Sequence, residues 1–246
     1  MNAGSLHEIF LTPESVIRCQ GSLSKLRRHV VGPLVITGGI AVGQHLLNND
    51  ARMPKAHLND IDLVVKGLPC LYPTVGQDFL IRHFHPTRER GKILIMLVDE
   101  VHGTRIDIFT PSTDALIGRS TDFTVGEMPF KLISAEDLLA KLLSILYAVK
   151  VGRHVEPKYL EHFRSLLILA DPKAVRDVWR EYRKDNQPLE FEAAVKDVEH
   201  YVTSRPTLLR KSAYSQDIDQ ECSWCQESDL YPLAPLTRIH EILGYV

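Results

Sequence analysis

The chain has 246 residues, and its 29 basic and 31 acidic residues nearly balance, so no global field recruits nucleic acid or an anionic membrane. Its hydrophobic content of 44% and its charged content of 24% are those of an ordinary soluble globular protein. No apolar run is long enough to span a membrane, the N-terminus lacks a signal pattern, and the four cysteines form no disulfide framework, so we expect a cytoplasmic protein without a membrane partner.

The first predicted elements are helices and a short strand that ends at a glycine pair. Residues 5–31 are mostly helical by pattern, with Thr12 as the N-cap and Pro13 at the first helical position. A short apolar strand then breaks at Gly38-Gly39 and runs into a further helix. Glycines between a strand and a helix let backbone amides approach phosphate, and the helix dipole favours anions. Taken alone, such a pair is more commonly an ordinary turn.

Two carboxylates stand at the start of the next predicted strand, whose apolar part is Leu63-Val64-Val65. Residues i and i+2 of a strand point to the same side, so Asp60 and Asp62 share one face, roughly 7 Å apart along the chain. Burying two like charges costs several kcal/mol unless they are neutralised. Hard oxygen ligands favour Mg²⁺ or Mn²⁺ over zinc, whereas on these residues alone a solvated pair at a strand end is the commoner arrangement.

A hairpin with a third carboxylate follows. Residues 92–98 form an apolar strand, residues 99–103 a turn, and residues 104–109 a strand that returns beside it, whereas helix and strand are both open for 78–84. Asp107 is unusual in a strand interior, because Asp is depleted from strands. Arg105 lies on the same face, where it either pairs with Asp107 or reaches a triphosphate.

The second half of the chain has a helical pattern. Residues 110–129 are rich in proline and glycine and are the best linker, which divides the chain into residues 1–128 and 129–246. Ser134 is a good N-cap for a helix with a leucine stripe, and three amphipathic helices follow it. Cys222 and Cys225 form a CxxC without a second pair, which favours an ordinary loop over a zinc or redox site.

Three of these segments together resemble a known signature. Gly38-Gly39, Asp60-Ile61-Asp62-Leu63 and Arg105-Ile106-Asp107, in this order, resemble the DNA polymerase β-like nucleotidyltransferase superfamily. Within it, the Gly-Gly-x-Ala opening and Ser-Ala-Glu-Asp-Leu-Leu-Ala-Lys at 134–141 resemble the minor nucleotidyltransferases, namely aminoglycoside adenylyltransferases and AbiEii-type toxins of toxin–antitoxin pairs. The resemblance covers residues 33 to about 170. It implies an α/β (α+β) nucleotidyltransferase core with a mixed sheet, followed by a helical C-terminal domain.

The resemblance also implies a reaction. An acceptor hydroxyl attacks the α-phosphate of a nucleoside triphosphate such as ATP, and pyrophosphate leaves. The acceptor is a small molecule such as an antibiotic, an RNA end such as that of tRNA, or a protein hydroxyl. Asp60 and Asp62 are expected to hold one or two Mg²⁺ (or Mn²⁺) ions, while Asp107 ligates the second metal or takes the hydroxyl proton. The expected nucleotide-binding residues are Gly38, Gly39, Arg105 and Lys141.

Two other functions stay open from the sequence. A non-catalytic nucleotide- or partner-binding protein on the same fold is favoured by the unusual His57-Leu58-Asn59 before the carboxylate pair, and the three intact Asp residues argue against it. A metal-dependent phosphohydrolase is the other possibility, and the lack of a His-rich ligand set in this sequence argues against it. For Lys141, a solvated helix face is the alternative to a triphosphate contact.

Overall fold

The computed structural model describes residues 4–51, 54–85, 89–210 and 230–245. Within these residues the chain forms one sheet of seven strands. They are β1 (Val35–Ile36), β2 (Asp60–Val64), β3 (Leu80–Phe84), β4 (Ile93–Asp99), β5 (Thr104–Phe109), β6 (Thr121–Val125) and β7 (Met128–Leu132). The segment at 78–84, for which the sequence left two possibilities open, is therefore mostly strand.

Ten α-helices accompany the sheet in the described part of the chain. They are α1 (Gly4–Ile9), α2 (Pro13–Arg27), α3 (Gly38–Asn48), α4 (Val75–Asp78), α5 (Leu116–Arg119), α6 (Ala135–Leu146), α7 (Pro157–Leu167), α8 (Pro172–Tyr182), α9 (Phe191–Ser204) and α10 (Leu236–Leu243). The predicted caps are confirmed, because Thr12 accepts a hydrogen bond from the Ser15 amide and Ser134 accepts one from the Asp137 amide.

The strand order places β2 and β5 next to each other near the middle of the sheet. The sheet runs β3-β4-β5-β2-β1-β7-β6, with β2 parallel to β5 and antiparallel to β1, while β1 is parallel to β7. The sheet is therefore mixed, as predicted. The predicted hairpin is also confirmed, since β4 and β5 are antiparallel neighbours. The apolar strand β2 lies near the middle of the sheet with a strand on each side, so the carboxylates at its start are held by a rigid element.

The prediction of a linker at residues 110–129 is wrong, because the segment contains α5, β6 and the start of β7. Phe123 and Val125 are buried, with the half-buried Thr124 between them, which is the alternation of a half-buried strand. Gly126, with φ of +61°, makes the turn to β7. Pro129 is tolerated because β1 pairs only with Lys131 and Leu132, so its missing N–H lies outside that ladder.

The hydrophobic core is continuous across the predicted boundary at 128/129. Helix α6 contacts α3 of the first half as well as α7, α8 and α9 of the second. Buried residues of both halves, such as Leu46 on α3 and Phe163 on α7, belong to one cluster. The division into two domains therefore stays a prediction.

Further expectations concern membranes and cysteines. None of the helices in the described ranges has both the length and the apolar content needed to cross a bilayer. Cys19 and Cys70 are free thiols. Cys222 and Cys225 lie outside the described residues.

Candidate functional site

Four charged side chains share one face of the sheet where β2 and β5 run in parallel. The register pairs Asp60 with Arg105 and Asp62 with Asp107. Directly paired residues on neighbouring strands project to the same side, and each strand alternates, so all four side chains lie on one face. The residues between them, Ile61 and Ile106, are fully buried. Asp60, Asp62, Arg105 and Asp107, called the carboxylate row below, are thus brought together as the sequence predicted.

Gly38 lies directly against this row. Its φ of +65° is a left-handed conformation that side chains rarely adopt, and a Cβ built on it would overlap Oδ2 of Asp62. Gly39 is exposed, and a Cβ there would meet no atom of the described residues within 4 Å. The glycine pair therefore begins α3 beside Asp62 and leaves open space in front of the first helical amides.

The start of α3 also carries a polar group without a partner. Thr37, the N-cap residue, makes no side-chain capping hydrogen bond. Its buried Oγ1 has no hydrogen-bond partner among the described residues. Since buried hydroxyls are normally paired, an unpaired one beside a glycine pair at a helix N-terminus suits a bound anion.

Lys141 on α6 lies at the same face. Its Nζ is 4.8 Å from the centre of the Phe109 ring at the end of β5, and the residue is half-buried. Burial lowers the pKa of Lys141, and the negative charge of Asp62 opposes this shift. The lysine is therefore next to the carboxylate row, whereas the alternative interpretation placed it on a solvated helix face.

Asp137, one turn before Lys141, fixes the position of α6. Its buried carboxylate accepts two hydrogen bonds from Arg119, at 2.8 and 2.7 Å, one from Ser134 Oγ at 2.7 Å and one from Tyr182 OH at 3.0 Å. These partners come from α5, the residue before α6 and α8. These four hydrogen bonds compensate the buried charge of Asp137, so the network fixes the position of the helix that carries Lys141.

The charges at the row disfavour the ionised form of Asp62. Burial raises its pKa to about 7, and the neighbouring Asp60 and, more weakly, Asp107 add to the shift, whereas Lys141 and Lys158 oppose it. Two lysines do not offset burial and two like charges. An additional cation at the row would therefore stabilise the ionised carboxylates.

Asp107 is engaged by its neighbour on β5. Arg105 donates from Nε to Oδ1 at 2.9 Å and from Nη2 to Oδ2 at 2.6 Å, and both residues are buried. Burial raises the pKa of Asp107, and the guanidinium opposes this. The first alternative for Arg105, a pair with Asp107, is what the structure has.

Two carboxylates of the row are placed to hold a divalent cation. Asp60 and Asp62 are half-buried carboxylates on one face, which suits Mg²⁺ or Mn²⁺. Both oxygens of Asp107 accept from Arg105, so Asp107 does not complete a ligand set in this arrangement. Across the described ranges no three His, Cys, Asp or Glu side chains are arranged to hold a metal. The pair fits the cation, and the expected third ligand stays a prediction.

Three residues at the site were missed by sequence reasoning. Lys158 and Tyr159 lie in the first turn of α7, and the charges of Asp62 and Asp60 act on Tyr159, whose pKa is raised mainly by burial. Tyr245 follows α10. Its pKa is raised mainly by burial; the charge of Arg105 opposes this shift, and the charges of Asp60 and Asp107 add to it. No motif marks these residues, because tertiary packing alone brings α7 and α10 to the sheet.

The raised pKa of Asp62 gives a pH-dependent stability. Between its ordinary pKa of 3.8 and about 7 the folded chain keeps a proton that the unfolded chain has lost, so this group's contribution to stability falls as pH rises through that window. Without divalent metal, we expect Asp62→Asn to have a higher Tm than the wild type at about pH 8, with a smaller difference at about pH 5. Thermal melts of both proteins at the two pH values measure it.

The difference in Tm between the two proteins is the useful quantity, because it cancels the contributions of three half-buried histidines. Burial lowers the pKa values of His45, His83 and His162, so these groups destabilise the fold as pH falls and would mask the trend in either protein alone. A Tm difference that does not change with pH would show that Asp62 is not an uncompensated carboxylate.

Comparisons with known proteins give one structural likeness. No family model matches the chain, and no curated protein matches it. The solved structure of an antigenic nucleotidyltransferase-like protein from Paracoccidioides brasiliensis is similar at a TM-score of 0.39 and 15% identity, covering 93% of this chain and 99% of that chain. At these values no function is carried from that protein to this one. The function proposed below rests on the residues of the site.

Proposed function

We propose that the chain is a Mg²⁺-dependent nucleotidyltransferase, which moves a nucleoside monophosphate from a nucleoside triphosphate to a hydroxyl acceptor. The observation that carries the proposal is the register of β2 against β5. It brings Asp60, Asp62 and Asp107 to one face of the sheet, where Lys141 and Gly38 at the start of α3 both lie next to Asp62. Carboxylates for a hard cation, a helix start for phosphate and an ammonium group are the parts that phosphoryl-type transfer requires.

Asp60 and Asp62 would hold the Mg²⁺ (or Mn²⁺). When bound, the ion supplies charge neutralisation for the triphosphate and for the leaving pyrophosphate. The open backbone at Gly38 and Gly39 lets amides at the start of α3 approach the β- and γ-phosphates. Lys141 adds a point charge that screens phosphate without demanding one geometry.

Asp107 is proposed to take the proton of the acceptor hydroxyl. As the hydroxyl oxygen bonds to the α-phosphorus, the bond from the α-phosphorus to the bridging oxygen breaks and pyrophosphate leaves. Burial raises the pKa of Asp107, which makes it a stronger base than an exposed carboxylate. The bidentate contact with Arg105 orients the Asp107 carboxylate and leaves each oxygen a second lone pair that can take the proton, so Arg105 is a positioning residue here.

The choice of nucleotide and acceptor is the finer part of the proposal. The Gly-Gly-x-Ala opening at Gly38 and the segment ending at Lys141 favour the minor nucleotidyltransferase branch, with its AbiEii-type toxins and aminoglycoside adenylyltransferases. An antibiotic, a tRNA end and a protein hydroxyl are then the acceptor classes to test. The direct experiment is to incubate the chain with Mg²⁺, cell extract and each labelled nucleoside triphosphate in turn. Label on one extract component supports transfer and names both substrates.

Lys141→Ala should weaken nucleotide binding about tenfold to hundredfold. Losing one charge-assisted contact costs roughly 1.5–3 kcal/mol, and the half-buried ammonium next to Asp62 is well placed to make it. Titration of nucleoside triphosphate in the presence of Mg²⁺ measures the affinity. Lys141→Arg should keep part of it, because the positive charge is retained.

Lys173→Ala is the matched control, since Lys173 is exposed on α8 and belongs to the same run of helices. It should bind nucleotide as the wild type does. An affinity of Lys141→Ala within about twofold of the wild type would remove Lys141 from the nucleotide site.

A non-catalytic binding protein is the second candidate. The observation that favours it is the pairing of both Asp107 oxygens with Arg105, which leaves only Asp60 and Asp62 to hold a cation. Such a protein would bind nucleotide and Mg²⁺ in the titration and label nothing in the extract. Transfer of label to an extract component would reject it.

A further inference from the structure

Four cations come together where the segment between α6 and α7 meets the segment after α9. The Val155 amide donates to the Leu208 carbonyl at 2.9 Å, and the Arg210 amide donates to the Val155 carbonyl at 3.1 Å. Arg205 donates from Nη1 to the Lys150 carbonyl at 2.9 Å. These contacts gather four cationic residues, called the basic patch below: Lys150, Arg153, Arg205 and Arg210.

The charge of the basic patch is not balanced by acidic side chains. Its three arginines are exposed and its lysine is half-buried. Within the described ranges, none of the four forms an ion pair with an Asp or Glu side chain. The neighbouring Glu156 pairs with Lys158. Glu199, on α9, pairs with Arg164. Because the whole chain has a net charge of −2, this positive surplus is local, and it would attract a polyanion.

Aromatic rings belong to the same surface. The Nζ of Lys150 is 5.6 Å from the centre of the Tyr201 ring, and the guanidinium carbon of Arg205 is 5.9 Å from that centre. The ring of the exposed His200 is 5.6 Å from the Tyr201 ring, centre to centre. Cations interleaved with aromatic rings are typical of surfaces that bind single-stranded nucleic acid, because the cations meet the phosphates and the rings meet the bases.

An anionic membrane fits the basic patch less well than a nucleic acid. Membrane-surface binding needs exposed apolar side chains in addition to positive charge. In the two described segments that form the patch, residues 147–155 and 199–210, Val151 is the only large apolar side chain that is exposed. The charge therefore has the surroundings expected for a strand of phosphates.

The basic patch leads towards the carboxylate row. Arg153 is five residues before Lys158 in the first turn of α7, so the chain between them spans at most about 18 Å. Helix α7 contacts α3, whose first residue lies against Asp62. The charge of Lys158 also acts on Asp62. A few nucleotides of a single strand can cover this distance, so a strand held at the patch can present its end to the row.

We propose that the basic patch binds single-stranded RNA and that the terminal hydroxyl of this strand is the acceptor of the nucleotidyl transfer. Binding at the patch needs only the charges and rings described above, whereas the acceptor role rests on the proposed function. Among the acceptor classes considered, only an RNA end is a polyanion. An aminoglycoside is a polycation, which the patch would repel, and a protein hydroxyl does not require four cations.

The transfer step lengthens the strand by one nucleotide. The terminal hydroxyl oxygen of the RNA bonds to the α-phosphorus of the nucleoside triphosphate, the bond from that phosphorus to the bridging oxygen breaks, and pyrophosphate leaves. The hydroxyl proton passes to the Asp107 carboxylate. No oxidant or reductant is needed.

The binding experiment uses the full chain and a short unstructured RNA oligonucleotide with a fluorescent label, followed by fluorescence anisotropy at several salt concentrations. Four phosphate contacts predict that log affinity falls with log salt at a slope of about −3, since each contact on a single strand adds about 0.7. Arg153→Gln with Arg210→Gln should make the slope shallower by about 1.4 and weaken binding about tenfold or more. Arg153→Lys with Arg210→Lys should keep most of the affinity, because the charges remain.

The matched control is Lys173→Gln with Lys184→Gln, which removes two exposed cations outside the basic patch. It should bind the RNA as the wild type does. The variant Arg153→Gln with Arg210→Gln should in turn bind nucleoside triphosphate as the wild type does, because the patch is separate from the nucleotide site.

The transfer experiment adds Mg²⁺ and each nucleoside triphosphate to the same RNA. Gel electrophoresis should show a strand that is one nucleotide longer, whereas an RNA whose terminal hydroxyl is blocked by a phosphate should stay unchanged. The variant Arg153→Gln with Arg210→Gln should extend the strand more slowly when RNA is scarce and approach the wild-type rate when RNA is in excess, because it weakens binding of the acceptor.

Equal RNA affinity of the wild type and of Arg153→Gln with Arg210→Gln would overturn the inference. Binding of phosphatidylserine vesicles in place of RNA would overturn it as well. Label on a small molecule or protein of the extract, with none on RNA, would reject the acceptor role and leave the proposed function standing. RNA binding at the patch without transfer to any acceptor would reject the proposed function and support the patch, so the two failures are distinguishable.

Discussion

Replacing Asp60 and Asp62 together with asparagine should abolish Mg²⁺-dependent binding of nucleoside triphosphate while the chain stays folded. The double substitution removes both proposed metal ligands. It also removes two half-buried like charges, one of which has its pKa raised to about 7, so the metal-free fold should not be weakened. Isothermal titration of nucleotide with Mg²⁺ measures binding, and a thermal melt measures the fold.

The control is a double substitution with the same change of charge. Asp114 and Asp122 have side chains that are 88% and 94% exposed and pair with Arg90 and Lys131, so Asp114→Asn with Asp122→Asn should leave binding unchanged. If the chain with Asp60→Asn and Asp62→Asn binds nucleotide and Mg²⁺ as the wild type does, the site is elsewhere.

Asp107→Asn should lower turnover by a factor of about 10² or more, with a much smaller effect on nucleotide affinity. The reason is that a general base acts mainly in the transition state, whereas the nucleotide is held by the other residues of the site. Single-turnover transfer to the identified acceptor measures the rate, and nucleotide titration measures the affinity. A raised dissociation constant with unchanged turnover would contradict the role.

The Arg105 contact requires a second variant, because Asp107→Asn leaves a buried guanidinium without its counter-charge. Breaking a buried pair in this way typically costs about 3–5 kcal/mol, so loss of activity could reflect loss of the fold. The combination Arg105→Gln with Asp107→Asn removes both charges and should melt closer to the wild type. Its turnover should still be low, which separates the missing base from an unstable chain.

Much of the site could be predicted from local pattern. The i, i+2 spacing of Asp60 and Asp62 requires a shared face, and the hairpin that carries Asp107 follows from two apolar strands around a turn. The register that sets Asp62 opposite Asp107 could not be predicted, because β2 and β5 are about forty residues apart and their pairing is fixed by the rest of the sheet. The resemblance predicted that the three carboxylates lie together, and the register of β2 against β5 shows how they are arranged.

The errors and omissions have one physical cause, which is that tertiary packing outweighs local composition. Residues 110–129 have the prolines and glycines of a linker, yet burial of Phe123 and Val125 makes them a strand of the sheet. Lys158 and Tyr245 carry no sequence signal, since a lysine on an amphipathic helix and a tyrosine after one are ordinary surface residues. They reach the site because α7 packs on α6 and α10 lies on the turn before β5.

The segment that carries Tyr245 also bears on self-association. Strand β3 is at one edge of the sheet, and its Ile81 forms a bridge with Leu233 just before α10, where the Ala234 amide donates to the Ile81 carbonyl at 2.9 Å. An uncovered sheet edge offers unpaired amides and carbonyls to a second chain. Residues 233–245 therefore cover part of this edge as well as packing on the turn before β5. Deleting them would uncover β3 to other molecules, so we expect a chain shortened in this way to self-associate more readily than the full chain.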